Sequence, residues 1–363
     1  MVHSSECRCH EAKTPVHGYY YSMVEIAIVK VFMDHGIFKS IPEEGNISIS
    51  DLATKADADS TLIERFCKFL VAARVLESEE PGLVAHTAAS KQLADDRIKL
   101  LYRHVFDFFM IPAARWEEYF DKHGLIEPPA ADLVPYGLAT GHPDKTLYEI
   151  LETRPKRNEE FNRAMAAVVE TMPITGMYDF GWIEEYIKNH DIDSERPILV
   201  DVGGGKGQAL RQILQEHPSI PASRCVLQDQ PEVIEQAIQE SHEGLISVKK
   251  MAASFFEPQP IKGALVYHIR RVLNDWPDDD CVKILSHVRK VCAEDSRVLV
   301  SEQIIPEVPS LDLAAFDIWM MNFAGKRRNG RLFEGIAKMA GLKITAVTRD
   351  EESGSGIVEM IPV

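Results

Sequence analysis

Apolar positions recur along this chain in two rhythms, and the rhythm changes near Arg196. Before that point the spacing is helical. Ile26, Val29, Lys30 and Met33 form a stripe that stops at Gly36, which predicts a helix from Met23, with residues 1–22 loose ahead of it. Ser50 stands as the N-cap of a second helix through Leu52 and Ala53. Ile63, Phe66, Leu70 and Val71 share one side of a third, from Leu62 to about Ala73. Val75 to Thr87 alternates weakly and reads as a two-stranded wing. Helix, helix, helix, wing is a winged-helix order, here over residues 23–100.

Residues 101–185 are expected to stay helical. Tyr102, Val105, Phe106, Phe109 and Met110 make one face, and Glu160, Phe161, Met165, Val168 and Met172 another. Pro128 to Pro143, rich in proline and glycine, reads as a loop between them. Each face is either core or the wall of an apolar pocket; periodicity does not separate the two.

Beyond Arg196 short apolar runs take over: Pro197–Val202, Arg224–Gln228, Gly263–Tyr267, Arg297–Ser301 and Leu342–Val347. Helical stretches such as Gln208–His217 and Cys281–Cys292 lie between them. Strands alternating with helices predict a parallel sheet covered on both faces, and Gly356–Val363 a last, antiparallel edge strand. The expected fold class is α/β, with a doubly wound domain over residues 186–363.

Composition narrows the partners. The chain has 363 residues, 45% hydrophobic and 26% charged, enough for two cores. With 56 Asp and Glu against 40 Lys and Arg, the net charge is −16, which opposes a nucleic-acid backbone. The winged-helix-like segment is therefore expected to bind protein, as a dimerisation module. Nowhere do 18 apolar residues run together, and MVHSSECRCHEAK lacks a signal-peptide core, so neither a membrane span nor export is expected and a cytoplasmic enzyme is. The six cysteines suggest no disulfide framework. Cys7, Cys9 and His10 offer fewer ligands than a closed zinc site needs, so an idle terminus is expected over a metal site.

The richest motif is Asp201-Val-Gly203-Gly204-Gly205-Lys206-Gly207, at the end of the first strand of the α/β part. Its glycines permit a tight turn and close approach of a ligand to the backbone. The spacing is G-x-G-x-G, not the phosphate-binding G-x-G-x-x-G. Asp201 at the mouth would disfavour a pyrophosphate and suit a ligand carrying an ammonium, such as S-adenosylmethionine. Asp229 ends the second strand, where an acid either holds ribose hydroxyls or caps the next helix; the upstream glycines favour ribose.

Five ordered segments, Leu199–Gly207, Leu227–Ile234, Phe255–Pro260, Arg270–Asp278 and Val298–Pro306, resemble the caffeate-type O-methyltransferase family, in its fungal natural-product branch. The likeness runs from about Met23 to the C-terminus. It implies an N-terminal dimerisation domain, a homodimer, and a class I methyltransferase (Rossmann-like) domain holding S-adenosylmethionine. By the family pattern Gly203 and Gly205 lie under the methionine part, and Asp229 with Gln230 takes the ribose. Ser254 and Phe255 fall beside the adenine and Arg270 near the sulfonium. The family usually has Asp where Ser254 stands, so one acceptor for adenine is lost.

The catalytic segment departs further. A hydroxyl acceptor must lose its proton as it is methylated, and the family uses a histidine immediately before Asp-Trp. Here Asn274 stands in that place, in Asn274-Asp275-Trp276. Glu302 matches the first carboxylate that steadies the histidine, but Arg327 replaces the second, in Gly325-Lys326-Arg327-Arg328-Asn329. An amide cannot take up the proton, and a guanidinium reverses the local charge. Arg270, Asn274, Arg327 and Lys326 are expected instead to converge as donors toward an oxygen. For Arg327 a solvated patch with Lys326, Arg328 and Arg331 remains equally open. His104 is a candidate donor to substrate or simply a core histidine; His268 is expected to be a strand histidine.

Three functions follow. A pericyclase or cyclase that keeps S-adenosylmethionine as a charge without transferring methyl comes first, since the resembled family contains such enzymes. An O-methyltransferase whose phenolic, enol or other hydroxyl acceptor needs no histidine comes second, and a non-catalytic dimer last. Methionine and aromatic density at Trp319, Met320, Met321 and Phe323 suits an apolar, polyketide-like substrate.

Overall fold

The computed structural model describes residues 14–169, 173–240, 242–351 and 353–363; Cys7, Cys9, His10 and Met172 lie outside them. Two compact units result, Met1–Asp107 and Phe108–Val363.

In the first unit, helix α1 spans Pro15–Asp34, so it starts ahead of Met23 and takes in part of the segment expected to be loose. Pro15 occupies the first turn, where its missing N–H costs nothing. Gly36, at φ 68°, terminates the run as expected. After α2 (Ile37–Ser40) comes the strand β1 (Asn46–Ser48), then α3 (Ile49–Lys55). The cap of α3 is Ser48, whose Oγ accepts the Asp51 N–H at 3.0 Å, because Ser50 is already inside the first turn. Helix α4 spans Ser60–Ala72 and is capped by Asp59. Strands β2 (Leu76–Glu77) and β3 (Leu83–His86) form the expected pair, with β1 as a third strand on the other side of β3. Helices α5 (Ala88–Leu93) and α6 (Asp96–Val105) follow, and Tyr102 of α6 donates its hydroxyl to the Ile26 carbonyl at 2.8 Å. Phe32, Phe38, Leu52, Ile63 and Leu70 make the core.

The second unit begins with helices. One of them, Pro135–Thr140, occupies the stretch expected to be a loop. Its proline opens the helix and Gly141, at φ 79°, closes it, so the loop-forming residues act here as caps. Tyr136 stacks on Phe108 at 5.2 Å beside Phe161, and these rings form a buried cluster with Met165 packed against it.

The α/β part holds a seven-stranded sheet among the described residues, in the order β6-β5-β4-β7-β8-β10-β9. The strands are β4 (Leu199–Val202), β5 (Cys225–Asp229), β6 (Lys249–Ala252), β7 (Val266–Arg270), β8 (Arg297–Gln303), β9 (Leu342–Arg349) and β10 (Ser355–Pro362). The first five are parallel. β10 is antiparallel to both β8 and β9, so the sheet is mixed. At the antiparallel end of the sheet the edge strand is β9, not β10 as expected: Ile357, Val358 and Met360 are fully covered, while Val347 of β9 is 45% exposed. An apolar strand buried on both faces belongs inside a sheet. β6, with its two lysines, carries no apolar run and escapes a periodicity reading. Among the described residues no helix is long and apolar enough to cross a membrane.

Candidate functional site

The strand ends β4, β5, β6 and β7 carry the motifs singled out above. Past β4 the backbone turns through Gly203 at φ 68° and Gly205 at φ 60°. A Cβ on Gly203 would sit 2.9 Å from Val272 Cγ2 and 3.4 Å from the Phe255 ring, so the turn is pressed against both. Gly204 donates to the Gln228 carbonyl at 3.0 Å, and Gly205 to Asp229 Oδ2 at 2.8 Å. Asp229 Oδ1 accepts the adjacent Gln230 N–H at 2.8 Å. Burial pushes the Asp229 carboxyl above its usual range despite those N–H groups. Ser254 Oγ accepts the Phe256 N–H at 3.2 Å, and the rings of Phe255 and Phe256 meet Trp276 edge-on. Arg270 ends β7, and burial beside Arg271 lowers its guanidinium pKa.

Asp201 is not at the mouth of this turn. It is fully buried behind it, where Oδ1 accepts from His268 Nδ1 at 2.8 Å. Oδ2 is buried with no hydrogen-bond partner among the described residues. His268, 1% exposed, is a strand histidine, as expected. An acceptor without a partner beneath the turn, a carboxylate at the next strand end and an apolar ring beside Gly203 fit an adenosyl ligand with an ammonium group.

A second set lies past β7 and β8. Leu273–Asp275 form a 3-10 turn. Glu302 of β8, 3% exposed, accepts the N–H groups of Val272 and Leu273 on Oε1 at 3.0 and 2.9 Å. Burial, with the charge of Asp275, pushes its carboxyl up to about 7. Burial also lifts Asp275 to about 6, and Tyr148 donates its hydroxyl to Asp275 Oδ2 at 3.4 Å. The Asn274 carbonyl accepts the Lys326 N–H at 2.8 Å. Asn274 Oδ1, Glu302 Oε2, and Arg327 Nε and Nη1 are all buried without a hydrogen-bond partner among the described residues.

Arg327 is therefore not part of a solvated patch. Its backbone N–H is held by Asp317 at 2.7 Å and its guanidinium lies 5.4 Å from the Phe316 ring centroid. Burial lowers its pKa, against the pull of Glu302 and Asp317. Lys326 does not join the donors: it pairs with Glu127, and with Asp278 at 3.3 Å. His104 sits buried on α6 of the first unit.

Arg328 was missed as a structural element. It is completely buried and donates to Asp278 Oδ1 at 2.9 and 2.6 Å, to the Leu273 carbonyl at 2.8 Å and to the Trp276 carbonyl at 2.9 Å. Burial would raise Asp278, yet Arg328 and Lys326 hold it below its usual range. The available signal was a second arginine directly after the altered position, in Gly325-Lys326-Arg327-Arg328-Asn329.

Residues 127–343 match an O-methyltransferase domain, and residues 16–96 an O-methyltransferase dimerisation domain. The chain belongs to the O-methyltransferase family. Its first unit carries the dimerisation domain, which supports a homodimer, and S-adenosylmethionine is the family's cofactor. It is 51% identical over 354 residues to Methyltransferase fsa4 of Fusarium sp. (strain FN080326), covering 97% of each chain. The fold is shared with OxaC, solved with S-adenosylhomocysteine and oxaline: TM-score 0.79, 23% identity, 98% of this chain and 89% of that one. It is shared too with LepI solved with S-adenosylmethionine: TM-score 0.72, 21% identity, 98% and 90%.

Proposed function

We propose that this O-methyltransferase-family chain methylates a small, largely apolar fungal natural product, on an acceptor that binds as an anion and needs no histidine base. One observation carries the reading: Arg327 holds Nε and Nη1 buried without hydrogen-bond partners among the described residues, on the segment tied to the Asn274 carbonyl. Donors of a guanidinium left unmet in this way, even with Glu302 and Asp317 near its charge, are costly unless a ligand brings acceptors, and an anionic oxygen suits them best. An acidic enol or phenol already ionised has no proton to lose, so the absent imidazole is not missed. Asn274 Oδ1 then accepts an N–H or O–H of the same ligand.

When bound, S-adenosylmethionine supplies a methyl group and a positive sulfonium. Gly203 and Gly205 would lie under its methionine part, Asp229 and Gln230 at the ribose, Ser254 and Phe255 at the adenine, and Arg270 near the sulfur. Glu302 steadies the loop that carries Asn274, and Asp275 shapes the charge beside it.

The sequence alone ranks a non-methylating pericyclase or cyclase first. A relative named as a methyltransferase, half identical over nearly the full length, moves methyl transfer ahead, since LepI at 21% identity supports only the shared fold. The second reading keeps one observation of its own: the Arg327 and Asn274 side chains can polarise a carbonyl without moving a proton. Incubation with methyl-labelled S-adenosylmethionine and fungal pathway intermediates separates the two. Label in the product, with S-adenosylhomocysteine formed, is the expected result; turnover without either supports the cyclase.

A further inference from the structure

Beneath the glycine turn lies a hydrogen-bonded carboxylate and histidine that the acceptor chemistry does not use. Asp201 and His268 are direct register partners on the adjacent parallel strands β4 and β7. The flanking positions in the same row are Leu227 on β5 and Leu299 on β8, both fully buried. The Phe180 ring stands edge-on to His268 at 6.2 Å. A carboxylate in so apolar a row needs fixed partners, because its lost hydration must be replaced.

One oxygen has its partner. A carboxylate can only accept, so the 2.8 Å contact places the His268 proton on Nδ1 and aims it at Oδ1. Oδ2 has no such partner among the described residues. It lies 2.3 Å from where a Cβ of Gly204 would stand, directly under the turn, so any side chain at that position would collide with it. The charge of Asp201 also reaches the neighbouring strand ends, where it acts to raise the pKa of both Arg270 and Asp229. Asp201 is thus the negative centre around which the site is arranged, and its orientation depends on one ring.

We propose that His268 is a positioning residue for the cofactor: by holding Oδ1 of Asp201 it fixes the carboxylate beneath Gly204, and with it the shape of the glycine turn and the negative charge behind it that favours the ammonium of the methionine part. Without that hydrogen bond the carboxylate rotates away and the turn under the methionine part loses its support and its charge, while the adenosine end keeps Asp229 and Phe255.

Two ligands separate this role from a general packing role. S-adenosylhomocysteine carries the ammonium; 5′-methylthioadenosine carries the adenosine and sulfur but no ammonium. Calorimetric binding to the full chain should show His268→Leu weakening S-adenosylhomocysteine by about tenfold or more, the scale of one charge-assisted hydrogen bond. Binding of 5′-methylthioadenosine should change by less than about twofold, within that same scale. His268→Asn, whose amide N–H can reach the same oxygen, should restore most of the loss. If the leucine variant does not fold, as judged by its melting curve, Asp201→Asn replaces it with the same selective loss expected. Equal weakening of both ligands, or no weakening of S-adenosylhomocysteine, overturns the proposal.

Discussion

Glu302 accepts the backbone N–H of Leu273 at 2.9 Å, one residue before Asn274. The carboxylate that would steady a catalytic histidine therefore steadies the loop on which that histidine would have stood. Two consequences follow, one for stability and one for chemistry.

The first concerns pH. Burial, with Asp275 behind it, lifts Glu302 from the ordinary 4.5 to about 7. Between those values the folded chain keeps a proton that the unfolded chain has released, so the contribution is full below pH 4.5 and is lost as pH rises through 7. Glu302→Gln keeps an acceptor for the two N–H groups and carries no charge. Relative to the wild type it should gain about 2–3 kcal/mol between pH 5 and pH 8 in urea unfolding. A constant difference across that range would contradict the raised carboxyl.

The second concerns the missing base. In Asn274→His the new imidazole finds Glu302 Oε1 already occupied by backbone N–H groups, with Oε2 alone left to it, and Arg327 where a second carboxylate should orient it. The single variant should not methylate neutral phenols. Efficient labelling of a phenol with a plain histidine titration in its pH–rate profile would remove the argument that these positions work as a unit.

Arg327 should govern the acceptor and not the cofactor. Arg327→Met removes a charged donor from the site, and the acceptor KM should rise roughly 10- to 100-fold on the scale of hydrogen bonds to charged groups. The dissociation constant of S-adenosylhomocysteine, measured by calorimetry, should stay where it was. A fall in cofactor affinity with an unchanged acceptor KM would reassign the side chain.

Arg328 should govern stability. Its guanidinium satisfies Asp278 and the carbonyls of Leu273 and Trp276 together, so Arg328→Met leaves a carboxylate and two carbonyls short of donors. Asp278 is 36% exposed and keeps some water, which holds the expected loss to the order of 3 kcal/mol in denaturant unfolding. Arg328→Lys should recover little, since one ammonium cannot span all three acceptors.

Much of this was legible in the residues. The helical stripes of α1 and α4, the strands β4, β5 and β8, and the turn at Gly203 and Gly205 follow from spacing, because period and backbone freedom are local properties. The exchange of base and carboxylate for Asn274 and Arg327 was legible too, given the motif around them. Less so were β1 and β6: three and four residues with little apolar content pair only because a neighbouring strand offers its edge.

By itself the sequence determined which chemistry the chain cannot perform through a histidine, since no arrangement of an amide and a guanidinium accepts a proton at neutral pH. Only the tertiary structure decided where the charges end up. Three consecutive residues part company: Lys326 goes to Asp278, Arg327 among buried polar atoms and Arg328 into a fully buried clamp. Likewise Asp201 looks like a ligand-facing acid until β7 brings His268 beside it. Which side of a folded backbone a charge faces depends on strands distant in sequence, and the cost of burying it is decided there.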